Sequence, residues 1–295
     1  MKLDRIIGEY SSGQHGSLLF ITVGVHGNEP SGLLSLREIF AELTLSRPNI
    51  KGTVVGVAGN LNGLRKGVRF IDEDLNRTWK AENIENNLRD SHEKEEMHEI
   101  IATLENYPPN KFTERYFLDC HTTSSASLPY ISVQDKGSND RWAHRFPVYI
   151  IRGFSDIVSG TIDDYLSKQG LTGFVFEGGQ HEAAEAVTHQ KAIQWLALKE
   201  ACGLDFNDLS EVPQSVEFLR NKEAQKTFEI AYRHGLEPND DFSMEPGYEN
   251  FQSIKKGELL AHHNGQPITS QWNAQIFMPL YQAQGNDGFF VVKEV

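Results

Sequence analysis

The sequence predicts an α/β protein with a mixed, largely parallel central sheet flanked by helices, followed by a smaller, mostly β region. Three observations predict it. Short apolar runs at residues 20–25, 52–59 (rich in Val), 116–120 and 171–176 read as buried strands. The first two are separated by a helical pattern (Leu33, Leu34, Leu36, Ile39, Phe40), and strand–helix–strand implies a parallel pair with a right-handed crossover. Beyond about residue 205 the alternation stops, and Pro246-Gly247, Gly265-Gln266-Pro267 and Asn286-Asp287-Gly288 punctuate short β-like stretches. The expected division is 1–205, an α/β catalytic domain, and 206–295, a β-rich domain.

Composition narrows the function classes. With 39% hydrophobic and 23% charged residues among 295, the chain can bury a large core. Lys and Arg number 28 against 41 Asp and Glu, a formal net charge of −13, which argues against nucleic-acid and anionic-membrane binding. No apolar run is long enough to span a bilayer, and MKLDRIIGEY lacks a signal-peptide core. Cys120 and Cys202 give no disulfide framework, so a cytoplasmic protein is expected.

Residues 1–19 read as a lead-in strand and turn, with His15 an exposed loop residue. The strand after them ends at His26-Gly27, and Pro30 sits near the first turn of the next helix. His26 and Glu29 therefore fall at the C-terminal mouth of a strand, where open α/β sheets place ligand sites. Spaced i, i+3, they can take two corners of a zinc tetrahedron. The polar stretch after residue 59 should lie over the same face. Its Arg69, Asn76 and Arg77 offer forked donors to a carboxylate or oxyanion, or else form an ordinary solvated loop with internal ion pairs.

Met97, Ile100, Ile101 and Leu104 mark a helix over 91–107, in which His92 and His98 fall among glutamates as a solvated face. The strand at 116–121 delivers His121, a candidate third metal ligand. Asp119, two residues earlier on the same face, is placed to orient that imidazole, whereas Cys120 points the other way as a small buried hydrophobe. Residues 129–133 and 146–151 read as short strands. The strand at 171–176 delivers Glu177, either a general base and acid beside a metal-activated water or a helix-start carboxylate ahead of a long helix over 182–203. His181, His189 and the pair His262-His263 carry no metal-site spacing. No repeat, low-complexity tract or phosphate-cradling loop is present.

Three motifs, His26-Gly27-Asn28-Glu29, residues 69–77 (RFIDEDLNR) and Asp119-Cys120-His121-Thr122, followed by Glu177 after an apolar strand, resemble the succinylglutamate desuccinylase/aspartoacylase family, a branch of the zinc-carboxypeptidase-like fold. The resemblance covers most of the first domain. It implies that His26, Glu29 and His121 bind one zinc ion per chain. It also implies that Arg69 polarises the scissile carbonyl, that Asn76 and Arg77 hold the substrate α-carboxylate, and that Glu177 is the catalytic carboxylate. Tyr281 would contribute to the substrate site from the second domain. One departure stands out. Aspartoacylases place an arginine shortly before the catalytic glutamate for the substrate's side-chain carboxylate, and residues 167–176 contain none. Lys168 or the more distant Arg152 are the candidate substitutes, although a lysine lacks the bidentate fork.

The function expected is zinc-dependent hydrolysis of the amide bond of a small anionic N-acyl amino acid. The alternatives are a metallocarboxypeptidase acting on small peptides and a non-catalytic zinc-binding interaction protein. Neither nucleic acid nor membrane is an expected partner, and a homo-oligomer is left open.

Overall fold

A computed structural model describes residues 3–134, 136–219 and 225–295. The chain opens with β1 (Ile6–Ser11), β2 (Gln14–Val23), α1 (Ser31–Ser46), β3 (Lys51–Ala58) and the short helices α2 (Leu61–Lys66) and α3 (Ala81–Glu85). It continues with α4 (His92–Glu105), β4 (Arg115–Thr123), β5 (Tyr130–Val133), α5 (Ser138–Ala143), β6 (Tyr149–Arg152), α6 (Ile162–Lys168), β7 (Thr172–Gln180) and α7 (Ala184–Cys202). The last part comprises α8 (Ser215–Phe218), β8 (Thr227–Gly235), β9 (Phe242–Met244), β10 (Ser253–Ile254), β11 (Leu259–His263), β12 (Gln266–Thr269), β13 (Ala274–Phe277) and β14 (Asp287–Glu294).

These elements build a mixed sheet in the order β1-β3-β2-β4-β7-β5-β6-β8-β14-β13-β10, with β12-β11-β9 as a separate small sheet. The middle strands β3, β2, β4 and β7 run parallel. Strand β5 runs antiparallel to β7, and β6 and β8 then follow β5 in parallel. The strands after residue 205 thus include four that extend the central sheet, as well as the three of the small one.

Strand β2 shows why the sheet is buried on both sides. Leu19, Ile21 and Val23 join the apolar layer that contains α1 residues Leu36 and Ile39 and α7 residues Ile193 and Trp195. Leu18 and Phe20 join the opposite layer, with Met97 and Ile100 of α4 and Ile162 and Leu166 of α6. Every one of these strand residues is wholly buried, so the run is continuous rather than alternating in hydropathy. The same alternation on β4 puts Cys120 in the first layer and turns Asp119 and His121 away from it. Burial pushes the Cys120 thiol far up, which leaves it an inert core residue.

The histidine–glutamate stretch of α4 is only in part the solvated face that its composition suggests: His92, Glu95 and Glu99 are exposed, but its other members are not. Glu93 is wholly buried, Glu96 and His98 nearly so, and the His98 Nε2 faces the Leu88 carbonyl at 3.1 Å. Glu93 accepts from Asn60 Nδ2 (2.8 Å) and from the backbone N–H groups of Ile71 (2.7 Å), Asp72 (3.0 Å) and Glu73 (3.2 Å). Glu96 accepts from the backbone and side-chain amides of Asn62 and from Arg5. The two carboxylates pin the polar loop that the sequence leaves unsupported. Glu93→Ala strands four donors at once, each worth about 1–3 kcal/mol when buried and unpaired. The expected loss is therefore at least ~3 kcal/mol of stability, read as a lower midpoint in urea at unchanged slope.

Candidate active site

Strands β2, β4 and β7 end at one edge of the sheet, and each delivers a polar side chain there. After β2 the chain turns at Gly24, whose φ of 65° suits glycine. Gly27 then passes so close to α2 that an added Cβ would lie 2.0 Å from the Gly63 carbonyl carbon. Its N–H donates to the Arg69 carbonyl (3.1 Å), stitching the loop after β2 to the loop after α2. Register does the rest: His121 on β4 lies beside Glu177 on β7, which lies beside Tyr130 on β5.

His26, Glu29 and His121 converge. All are buried, and one donor atom from each lies within 4.8 Å of the others. The inward atoms are the two Nδ1 nitrogens: His26 Nδ1 is 2.9 Å from Glu29 Oε1, and His121 Nδ1 is 3.2 Å from Glu29 Oε2. Each outward Nε2 meets a carboxylate, Asp74 Oδ1 at 3.0 Å for His26 and Asp119 Oδ2 at 2.9 Å for His121. Asp119 is fixed in turn by the Thr22 hydroxyl (2.5 Å). Two imidazoles presenting one nitrogen to a common point, each oriented at the other by a carboxylate, match what a metal ligand set requires. The set could therefore hold a metal ion.

Charge in the site is densely compensated. Burial pushes Glu29 up, but the His26 and His121 imidazoles outweigh it and hold the carboxyl well below the usual range. Burial likewise opposes ionisation of Asp74, yet His26 and Arg69 hold it well down. Arg69 donates to Asp74 Oδ2 (2.9 Å) and lies 3.6 Å from Glu29, while its buried Nε has no partner. Glu177 behaves oppositely. Burial is the largest influence and, with Glu29 and Asp119 nearby, pushes its carboxyl up to about 8 against the pull of His121 and Arg69. Its Oε2 is buried without a partner.

A cleft partly open to solvent leads from these residues. Arg69, Asn76, Arg77 and Glu177 line it together with His26 and His121. Asn76 accepts from the Ile162 N–H through Oδ1 (2.9 Å), which turns its amide NH₂ the other way. Arg77 is shared with Asp287 (3.2 Å), which also accepts from Arg233 (2.5 Å).

Three of the residues expected at the site have their side chains engaged with other partners. Lys168 lies at the exposed end of α6, 71% accessible, and pairs with Asp164 at 2.7 Å, one helical turn away. Arg152 is clamped by both oxygens of Asp140 at 2.7 Å. Neither lines the cleft. The Tyr281 hydroxyl accepts from the Tyr248 N–H (2.8 Å) and donates to the Glu245 carbonyl (2.7 Å), while its N–H lies 3.4 Å from the Ser124 hydroxyl on the second wall of the site. Conversely, Asp74, Tyr130, Gln134 and Asp163 surround the site although sequence spacing singled none of them out as site residues. Asp74 stood within a motif, and the others had no signal. His181, on a second wall of the site, faces the Thr122 hydroxyl at 2.8 Å.

A family model described as the succinylglutamate desuccinylase/aspartoacylase catalytic domain matches residues 15–197. The "Probable aspartoacylase" of Acaryochloris marina is 31% identical over 130 residues, 42% of this chain and 41% of that protein, so the match spans less than half of that relative. The succinylglutamate desuccinylase of Pseudoalteromonas atlantica is 22% identical over 280 residues, 87% of this chain and 75% of the relative. The crystal structure of the succinylglutamate desuccinylase from Chromobacterium violaceum superposes with a TM-score of 0.68 at 16% identity, covering 97% of this chain and 88% of the other, and so shares its fold. Matched by the family model over more than half its length, the chain belongs to the succinylglutamate desuccinylase/aspartoacylase family.

Proposed function

We propose that this chain is a zinc-dependent hydrolase that cleaves the amide bond of an N-acyl amino acid, releasing a carboxylate and a free amine. The observation that carries the reading is the juxtaposition of the His26–Glu29–His121 donor set with a buried, unpartnered carboxylate, Glu177, and with Arg69 and Arg77 in one cleft. The names of the relatives, desuccinylase and aspartoacylase, point to the same bond.

His26 Nδ1, Glu29 and His121 Nδ1 would hold the ion. When bound, zinc supplies Lewis-acid chemistry, polarising the carbonyl and making water nucleophilic near neutral pH. The protein residues supply the rest. Arg77 and the free NH₂ of Asn76 bind the α-carboxylate and set the amide beside Glu177. Arg69 places fixed positive charge where the tetrahedral oxyanion develops. Glu177 takes a proton from the attacking water and returns it to the leaving nitrogen as the C–N bond breaks. Its raised carboxyl suits a group that both accepts and donates, and a neighbouring dication would lower it toward neutrality.

Asp74 holds the His26 ring by its Nε2, and Asp74→Asn is expected to weaken zinc binding about 10–100-fold, measured by competition with a chromophoric chelator. The function itself is tested by an amine-release assay over N-acetyl and N-succinyl amino acids, with chelated controls. Chelator-sensitive turnover is expected. Hydrolysis of a matched dipeptide, with no N-acyl substrate turned over, would replace this reading with the carboxypeptidase. Zinc binding with no turnover of either class would favour the non-catalytic protein.

A further inference from the structure

The cleft continues past Glu177 to an end that the proposed chemistry does not use. Phe154, Val158 and Phe290 form apolar walls there, and Tyr130, Gln134 and Asp163 supply the polar groups. Asp163 is only 4% exposed. Its Oδ2 accepts from Gln134 Nε2 at 2.7 Å, and the same amide nitrogen reaches the Thr161 hydroxyl at 3.2 Å. With its NH₂ so engaged, Gln134 presents its other atom, Oε1, which is buried and unpartnered. The hydroxyl of Tyr130, a residue only 1% exposed, is likewise without a partner.

The missing element is a cation. Among the described residues, no lysine or arginine forms an ion pair with Asp163. The neighbouring carboxylates Asp164 and Asp140 have taken Lys168 and Arg152. Besides Arg69, the cleft's cation is Arg77, and it already shares Asp287. A second substrate carboxylate at this end would meet a buried acid and an amide oxygen, with the His121 imidazole rather than a lysine or arginine to offset them, a costly arrangement. A positively charged group would give Gln134 Oε1 its partner and add a charge-assisted bond to Asp163, which already accepts from Gln134 and Thr161, and the apolar walls would cover the methylene stem leading to it.

We propose that the amino acid released by this enzyme carries a cationic side chain, an amine or guanidinium, bound by Asp163 and by Gln134 Oε1 at the inner end of the cleft. The substrate is then an N-acylated basic amino acid, with its α-carboxylate on Arg77 and its second nitrogen on Asp163. This assignment rests on the deacylase reading and refines it. Burial pushes the Asp163 carboxyl up, and an incoming cation favours its ionised form.

The experiment compares kcat/KM for near-isosteric N-acetyl derivatives of ornithine, norleucine and glutamate on the zinc-loaded enzyme. The ornithine derivative is expected to exceed the norleucine one by roughly tenfold or more and the glutamate one by a wider margin. In Asp163→Asn the ornithine-to-norleucine ratio should fall about tenfold, and in Gln134→Met it should fall by a smaller factor. Two variants guard against one that does not fold, since either ratio reports the pocket. Faster turnover of the glutamate or norleucine derivative, or variants that slow all three equally, overturns the assignment. If none is hydrolysed, the deacylase reading fails separately. Calorimetric binding of the three derivatives then decides the pocket, with tighter binding of the ornithine derivative supporting it and no preference, or the reverse order, refuting it.

Discussion

Glu177→Gln is expected to lower kcat by roughly 10²–10⁴-fold, the usual contribution of a general acid–base group, while bound zinc stays at its wild-type level. The substitution keeps the shape at the end of β7, where residue 177 lies in register with His121 and Tyr130, but the amide cannot take up or return a proton. The metal-facing nitrogens, the oriented imidazoles and Arg69 stay in place. Steady-state kinetics combined with metal analysis separates the outcomes. A variant with full zinc and near-normal kcat would show that the proton passes through another group. Loss of zinc together with activity would mean that the carboxylate serves the metal site rather than the chemistry.

The second large effect is on Glu29. Both of its oxygens are used, Oε1 toward His26 Nδ1 and Oε2 toward His121 Nδ1, and Oε2 also accepts from the Thr122 N–H at 2.9 Å. Glu29→Ala removes a candidate ligand and leaves two ring nitrogens facing each other across a void. The expected result is bound zinc falling from about one per chain to nearly none. Lewis-acid activation is worth several kcal/mol, so kcat/KM should fall by more than about 10³-fold at ~1.4 kcal/mol per tenfold. Wild-type enzyme stripped by chelator should lose the same activity and regain it on zinc addition, whereas Glu29→Ala should not recover. Full activity in a zinc-free variant would remove the ion from the reaction.

The parts of this molecule that are legible in the sequence are those written in local signals. A largely apolar run ending in histidine marks a strand mouth, and two such runs place His26 and His121 on one edge because parallel neighbours share their direction. The polar loop at 69–77 is legible as a motif. What holds it in place is not: Glu93 lies 20 or more residues away, and its neighbours His92 and Glu95 make that helix face look solvated. Asp74 is visible as a residue, but its grip on His26 spans 48 positions. The inner end of the cleft is built from β5 and α6, of four and seven residues, too short to show a period. Lys168 misleads for a physical reason. Proximity in sequence to Glu177 counts for less than a helical turn that offers it Asp164.

The Arg77–Asp287–Arg233 chain ties the loop after α2 to the ends of β8 and β14. Phe290 and Asp287, from β14, wall the same cleft whose candidate metal ligands all precede residue 122. During synthesis, therefore, the donor set leaves the ribosome long before its far wall exists, some 10–30 s earlier at ordinary elongation rates. Over that interval the candidate donor set stands at a mouth that is not yet closed. The wall that β14 supplies is thus added after the donor set and after Gln134 and Asp163.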